Sequence, residues 1–258
     1  VWRKGCMEEI KDYYFSPIDG RTAKLIAYAA SFGIDEWTYS KKETRFCTRK
    51  LKEFTAVSVR EDSGVELCKR HLNHTAEHVL DPTILLSPAD YRKLIGEEGA
   101  EKYTNKITAF ILDRSEDKLA ALEKVSKVLA MDYNFAATET EDRLAPLEKR
   151  IAPSVADWLK AMYYADFIFT DSFHGCVFSI LFNKPFVLYV NRNRGVARFD
   201  SLLKLFKIEN RTLSDSNELE SCRIRQSIDW KPINAKLEEM RSKSMRFLEN
   251  ALTAKDEQ

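Results

Sequence analysis

Short apolar runs that alternate with longer amphipathic stretches are what most limits how this chain can fold. The runs lie at 24–29, 56–59, 77–80, 106–112, 134–138, 167–170 and 185–190, each bounded by polar or turn-forming residues. A strand buried on both faces reads as a continuous apolar run, so these are expected to be parallel strands covered by helices on either side. Helical patterns fill the gaps at 44–54, 61–71, 116–131 and 154–165, and another opens near His174 and continues through 177–182. Pro153 and Ser154 open the 154–165 helix, where Val155, Trp158, Leu159 and Met162 make one stripe. A long terminal helix is expected over 234–252, with Leu237, Met240, Ser244, Phe247 and Leu248 on one side. Strand–helix alternation of this kind predicts doubly wound parallel sheets.

The segment 81–88 holds Pro82 and Pro88 and interrupts the alternation, after which a fresh strand–helix series begins. It predicts two lobes with a boundary near residue 85. Residues 1–85 would be the C-terminal part of a first Rossmann-like lobe, and 86–258 a second Rossmann-like lobe carrying the C-terminal helix. The chain opens Val1-Trp2-Arg3-Lys4-Gly5 without an initiator methionine. The expectation is therefore a start inside a longer protein and an incomplete first lobe.

Charge excludes some partners. With 41 basic and 40 acidic residues the net charge is +1, which gives no global attraction to nucleic acid or anionic membrane. Cys6, Cys47, Cys68, Cys176 and Cys222 are scattered and form no CxxC pair, so reduced thiols are expected and neither a metal nor a redox motif follows. His71, His74 and His78 have spacing like that of a metal-binding helix face, but the segment is short and polar, and no metal is expected there.

Candidate chemistry gathers at the ends of the predicted strands, where open α/β sheets bind ligands. After the strand 167–170 come Asp171, Ser172, Phe173, His174 and Gly175, then an apolar helix. The helix N-terminus offers free amides and a partial positive charge to an anion. Gly175 would let a ligand approach the backbone, and His174 at the rim could move a proton near neutral pH. Asp171 could orient the imidazole or cap the helix. Arg60 follows the strand 56–59 and could grip a carboxylate or phosphate with two parallel hydrogen bonds; a surface pair with Glu61 is the plainer reading. Ser31 and Gly33 follow the first strand in the same way. Arg192, Arg194 and Arg198 flank Gly195 after the strand 185–190 and form a candidate anion clamp.

The ordered set of these pieces resembles the polysaccharide pyruvyl transferase family. The resemblance is carried by Ile26 to Gly33, by Val57 to Gly64 around Arg60, by Val79 to Thr83, by Thr170 to Gly175 with Asn183 to Phe186, and by Arg194 through Leu203. It implies two Rossmann-like lobes with parallel sheets, similar to GT-B glycosyltransferases, with the site in the cleft between them. It also implies transfer of pyruvate from phosphoenolpyruvate onto a sugar of a cell-surface polysaccharide or its precursor, forming a ketal across two hydroxyls, with no cofactor.

On this resemblance His174 would be the catalytic residue. Arg60, Ser31, Asp171, Ser172, Gly175, Arg194 and Arg198 would bind substrate. Many members of the family carry an arginine two residues before the histidine, where this chain has Ser172; Arg192, Arg194 or Arg198 would supply the missing contact. The implied partners are phosphoenolpyruvate and a sugar or lipid-linked oligosaccharide acceptor, without nucleic acid. The implied location is cytoplasmic, with peripheral contact at the inner membrane face. Two alternatives stay open: a related glycosyltransferase using a nucleotide sugar, and a non-catalytic carbohydrate-binding relative.

Overall fold

The structure, a computed structural model, describes residues 2–4, 23–140, 144–190, 195–219 and 224–254. The chain divides into two compact units. The first comprises Val1–Leu85, Asn193–Lys207 and Asn234–Gln258, and the second Leu86–Arg192 and Ile208–Ile233.

In the first unit, β1 (Ile26–Ala30), β2 (Ala56–Val59) and β3 (Glu77–His78) form a parallel sheet in the order β1-β2-β3. The helices α1 (Lys41–Leu51) and α2 (Asp62–Leu72) connect the strands. Side chains alternate across a strand, and the burial follows that period. Ala27 packs with Val57, Val59, Cys47, Leu51, Leu67 and Leu72 in one core, whereas Ile26 and Tyr28 pack with Val79 and Phe247 in another. α1 begins three residues before the periodic pattern implied. Ser40 and Glu43 make a reciprocal capping box there, with Ser40 N donating to Glu43 Oε2 at 2.6 Å and Glu43 N to Ser40 Oγ at 3.3 Å.

In the second unit, five parallel strands, β4 (Lys106–Phe110), β5 (Asp132–Phe135), β6 (Phe167–Thr170), β7 (Phe186–Tyr189) and β8 (Thr212–Leu213), take the order β5-β4-β6-β7-β8. Counted within the unit this is the doubly wound order 2-1-3-4-5, in which the winding reverses between β4 and β6. A short helix α3 (Pro88–Arg92) opens the unit. α4 (Glu116–Leu129) covers one face, where Ala121, Leu122 and Val125 meet Ile107, Ala109, Phe167, Phe169, Val187 and Tyr189. After a one-turn helix α5 (Leu147–Arg150) come α6 (Val155–Tyr164) and the mostly apolar α7 (Phe173–Leu181). Trp158 of α6 meets Phe110 and Phe178 edge-on at 5.1 and 4.9 Å, and Tyr91 meets Phe178 at 5.1 Å.

The parallel α/β architecture is as the sequence pattern implies; further details differ. β5 lies at Asp132–Phe135, earlier than the 134–138 run. Residues Ala197–Phe206, which include Arg198 of the candidate clamp, form helix α8, whose buried Phe199, Leu202, Leu203 and Phe206 supply an apolar face. The terminal helix α9 (Trp230–Thr253) falls mostly with the first unit, as does α8, so 86–258 is not one lobe. Phe247 and Leu248 of α9 pack on the Ile26 and Tyr28 side of β1, and Ser244 Oγ accepts the Leu80 amide at 3.0 Å while donating to the Met240 carbonyl at 2.8 Å. Among the described residues no helix is long and apolar enough to cross a membrane.

Ser244 is fully buried, so Ser244→Ala strands the Leu80 amide. The expected loss is about 1–3 kcal/mol, read by urea denaturation.

Candidate active site

The turn from β6 into α7 stands beside the reversal point of the second sheet and is held by one carboxylate. Asp171 is 0% exposed. Its Oδ1 accepts the Leu112 amide at 2.7 Å; its Oδ2 accepts the Asp113 amide at 3.2 Å and Lys118 Nζ at 2.7 Å. Lys118, in the first turn of α4, also donates to the Asp113 carbonyl at 2.7 Å. Thr170 adds a second tie: its Oγ1 donates to the Phe110 carbonyl at 2.7 Å and accepts the Ser172 amide at 3.0 Å. The loops leaving β4 and β6 are thereby fastened together. Asp171 acts as this fastener, its carboxylate sealed in and used by the turn.

Gly175 also has a different reason from the one its position suggested. A Cβ there would stand 2.1 Å from Thr170 Oγ1 and 2.7 Å from Thr170 Cβ. The missing side chain lets α7 pack onto the end of β6. Ser172 is buried at the N-cap of α7, makes no capping hydrogen bond with its side chain, and leaves the first turn without an acidic residue. The helix end carries a partial positive charge, which favours an anion. His174 lies in this first turn. It is the one exposed residue from Phe167 through Phe182, where every other side chain is buried. Phe173 meets its ring at 5.6 Å.

A hollow of about 290 Å³ opens in this unit at the tips of β4 and β5, lined by Phe110, Leu112, Ala136, Ala137, Thr138, Ala152, Pro153, Val155 and Trp158. Its walls suit an apolar group; a small dianion would find no cation among them.

The remaining candidates fall in the first unit. Arg60 leaves the end of β2, and its Nη1 pairs with Asp81 Oδ2, whose carboxylate also accepts the Thr83 amide at 3.0 Å and hydroxyl at 2.7 Å. Arg60 is thus joined to Asp81 and not to Glu61. Ser31 is 1% exposed, and its hydroxyl has no hydrogen-bond partner among the described residues. Arg198, in the first turn of α8, brings its Nε within 3.8 Å of the point a Cβ on Gly33 would occupy. Gly33 takes φ +72°, and Gly195 packs so closely on the Gly33 carbonyl that no side chain fits there. Ser31, Arg60 and Arg198 therefore gather around the β1 and β2 tips. Arg192 and Arg194 lie outside the described residues.

Glu61 was missed as more than a surface charge. It is 0% exposed, and its Oε1 accepts the Phe32 and Gly33 amides, the second at 3.0 Å. Among the described residues its Oε2 has no partner in hydrogen-bond geometry, though Ser31 Oγ stands close enough to lower the proton affinity of the carboxyl. Burial dominates and pushes the Glu61 carboxyl above the usual carboxylate range, against the amides and the Arg60 charge. The sequence signal was its place between a strand and a helix start, which exposed and buried glutamates share. The same physics acts on two buried thiols: burial pushes Cys47 and Cys68 up to about 12, which disfavours their thiolates.

Two outcomes follow. Gly175→Ala forces overlap with Thr170 and is expected to cost about 1–3 kcal/mol or more in denaturant unfolding. For Glu61 the folded state keeps its proton to higher pH than the unfolded chain, so its contribution is full on the acid side and declines as pH rises past about 4.3. Glu61→Gln keeps an oxygen for the two amides and removes the ionisation. Its melting temperature should gain on the native protein progressively from about pH 5 to pH 8, and a pH-independent difference would refute the elevated carboxyl.

A comparison with curated protein sequences gives no match. Among solved structures, the wall teichoic acid polymerase TagF aligns over 85% of this chain and 59% of its own, with 12% identity and a TM-score of 0.40. A TagF variant soaked with CDPG aligns over 86% and 58%, with 13% identity and a TM-score of 0.38. This chain therefore spans less than two thirds of those chains. The sequence model of the family described as polysaccharide pyruvyl transferase matches residues 4–193, which takes in β1 through β7 and every candidate residue up to His174 and Gly175, and the chain belongs to that family.

Proposed function

We propose that this protein transfers a pyruvyl group from phosphoenolpyruvate to two hydroxyls of a sugar, with His174 as the proton-moving residue. Family membership supports the transferase and polysaccharide part of this reading. The observation that carries the catalytic part is the exposure of His174. In a stretch that buries everything else from Phe167 to Phe182, one titratable ring is left in solvent. It stands on an uncapped helix end beside the reversal point of a doubly wound sheet.

The chemistry asks for what that place offers. Phosphoenolpyruvate brings a phosphate and a carboxylate, which free amides and guanidinium groups hold. A proton added to its methylene carbon leaves a cationic carbon. One sugar hydroxyl bonds to that carbon, the C–O bond to phosphate breaks, and the second hydroxyl closes the ketal. Of the two hydroxyl protons, one balances the proton taken up by the methyl group and the other leaves with phosphate. An imidazole can give the first proton or take one from an attacking hydroxyl. Asp171 holds the turn on which the ring stands, so its effect on the reaction is positional.

The test uses the purified chain, phosphoenolpyruvate and a panel of neutral and acidic oligosaccharides, with phosphate release as the signal. His174→Ala should lower the rate by about 10²–10⁴-fold while leaving the melting temperature and phosphoenolpyruvate binding intact. Undiminished release by the variant would remove His174 from the chemistry. Thermal stabilisation by a nucleotide sugar but not by phosphoenolpyruvate would replace the reading with glycosyl transfer.

A further inference from the structure

A second hollow, in the first unit, has no part in the chemistry above. Trp37, Tyr39, Lys41, Thr44, Arg45 and His71 line a space of about 400 Å³, within the range of about 300–1,000 Å³ that small-molecule clefts occupy. Its aromatic wall is held in place. The Trp37 and His71 rings lie 2° from parallel with centroids 4.8 Å apart. Tyr39 stands edge-on to the indole at 4.8 Å, its hydroxyl donating to the Trp2 carbonyl at 2.6 Å. The indole N–H donates to Thr44 Oγ1 at 2.9 Å. His71 is exposed in the last turn of α2, so the stack presents flat aromatic surface to solvent.

The rim is cationic. Lys41 and Arg45, one turn apart on α1, are both exposed, and among the described residues no acidic side chain lines the hollow. Glu43 on the same helix is engaged by Lys4 Nζ at 3.0 Å and by the Ser40 amide at 2.6 Å. Arg45 Nε donates to the Lys41 carbonyl at 3.2 Å, which holds the guanidinium along the helix.

A rigid aromatic plane accepts the apolar C–H face of a pyranose, and two cations accept a carboxylate or phosphate. A nucleobase would also stack, but reading its edge needs neutral hydrogen-bonding groups. The Thr44 hydroxyl is taken by Trp37 and the Ser40 carbonyl, and the Tyr39 hydroxyl by Trp2. We propose that this hollow is a subsite for an anionic sugar residue of the acceptor saccharide, a statement that rests on the polysaccharide reading above. It places acceptor recognition in the first unit, on residues that take no part in proton transfer.

The experiment follows tryptophan fluorescence of the full chain during titration with a tetrasaccharide of alternating glucuronate and N-acetylglucosamine, and with its carboxyl-reduced neutral form. The acidic form should bind, more weakly as salt is raised, and the neutral form should bind at least about tenfold less tightly, the worth of one good charge contact. Lys41→Glu with Arg45→Glu should lose the acidic ligand by about tenfold or more with an unchanged melting temperature, because both side chains are exposed. Trp37→Leu should lose both forms. Equal binding of the two forms, no binding at about 10 mM (roughly −3 kcal/mol), undiminished binding by the charge-reversed variant, or displacement by UDP would each overturn the subsite. Phosphoenolpyruvate binding, measured on the same proteins, separates the two proposals. Saccharide binding without phosphoenolpyruvate binding leaves the subsite standing and refutes pyruvyl transfer. Phosphoenolpyruvate turnover on an acceptor that ignores the hollow does the reverse.

Discussion

The buried pair Lys118–Asp171 is the constraint on which the second unit depends. Both side chains are nearly sealed from water, at 9% and 0% exposure, and the carboxylate takes two backbone amides besides the ammonium. A charged pair in such a place is stable only if its remaining hydrogen-bonding capacity is met, and removing one partner from a pair like this costs about 3–5 kcal/mol. Here the capacity is met by the Asp113 carbonyl and by the Leu112 and Asp113 amides, all on the loop that leaves β4. The pair therefore does more than neutralise itself. It ties two strand-to-helix loops at the point where the sheet reverses its winding, and the start of α7 takes its position from that tie. Thr170 and Gly175 then set how closely the helix lies on its strand.

Both units place polar groups at strand ends and solve the resulting burial problem differently. In the second unit the buried carboxylate of Asp171 is charged-partnered and fully bonded. In the first unit Glu61 is sealed from water, and burial makes it hold its proton more firmly than usual. Each carboxylate orders a loop: Glu61 the Phe32 and Gly33 amides, Asp171 the Leu112 and Asp113 amides. The exposed groups, His174 in one case and the Trp37–His71 stack in the other, stand clear of these braces.

What the sequence displays follows from how local each signal is. Apolar runs and amphipathic periods are local, so the strands around 56–59 and 167–170 were legible nearly to the residue. So was the prominence of His174, because a titratable residue entering an apolar helix after a strand is visible in a few letters. Asp171–Lys118 and Arg60–Asp81 join residues 53 and 21 positions apart, and no short pattern announces which carboxylate meets which cation. The same distance hides the role of Gly175, whose neighbour Thr170 is set by the packing of a helix on a strand. α8 was obscured by arginines that precede it, although Phe199, Leu202, Leu203 and Phe206 carry a helical period. The period in α9 revealed an apolar face and left open what it covers, since any sheet face of matching size would do.

The pairing of α9 with β1 bears on the order in which the protein is made. The first unit draws on the earliest and the last parts of the chain, with the second unit encoded in between. A domain of contiguous sequence can close while the ribosome is still working, and domains usually do so from the N-terminus onward. Here the side of β1 formed by Ile26 and Tyr28 has no cover until Phe247 and Leu248 have been synthesised. The nascent first unit thus stays unfinished while the second matures, its apolar strands open to other chains and to chaperones. Loss of Phe247 and Leu248 would harm a sheet whose strands are translated before the second unit.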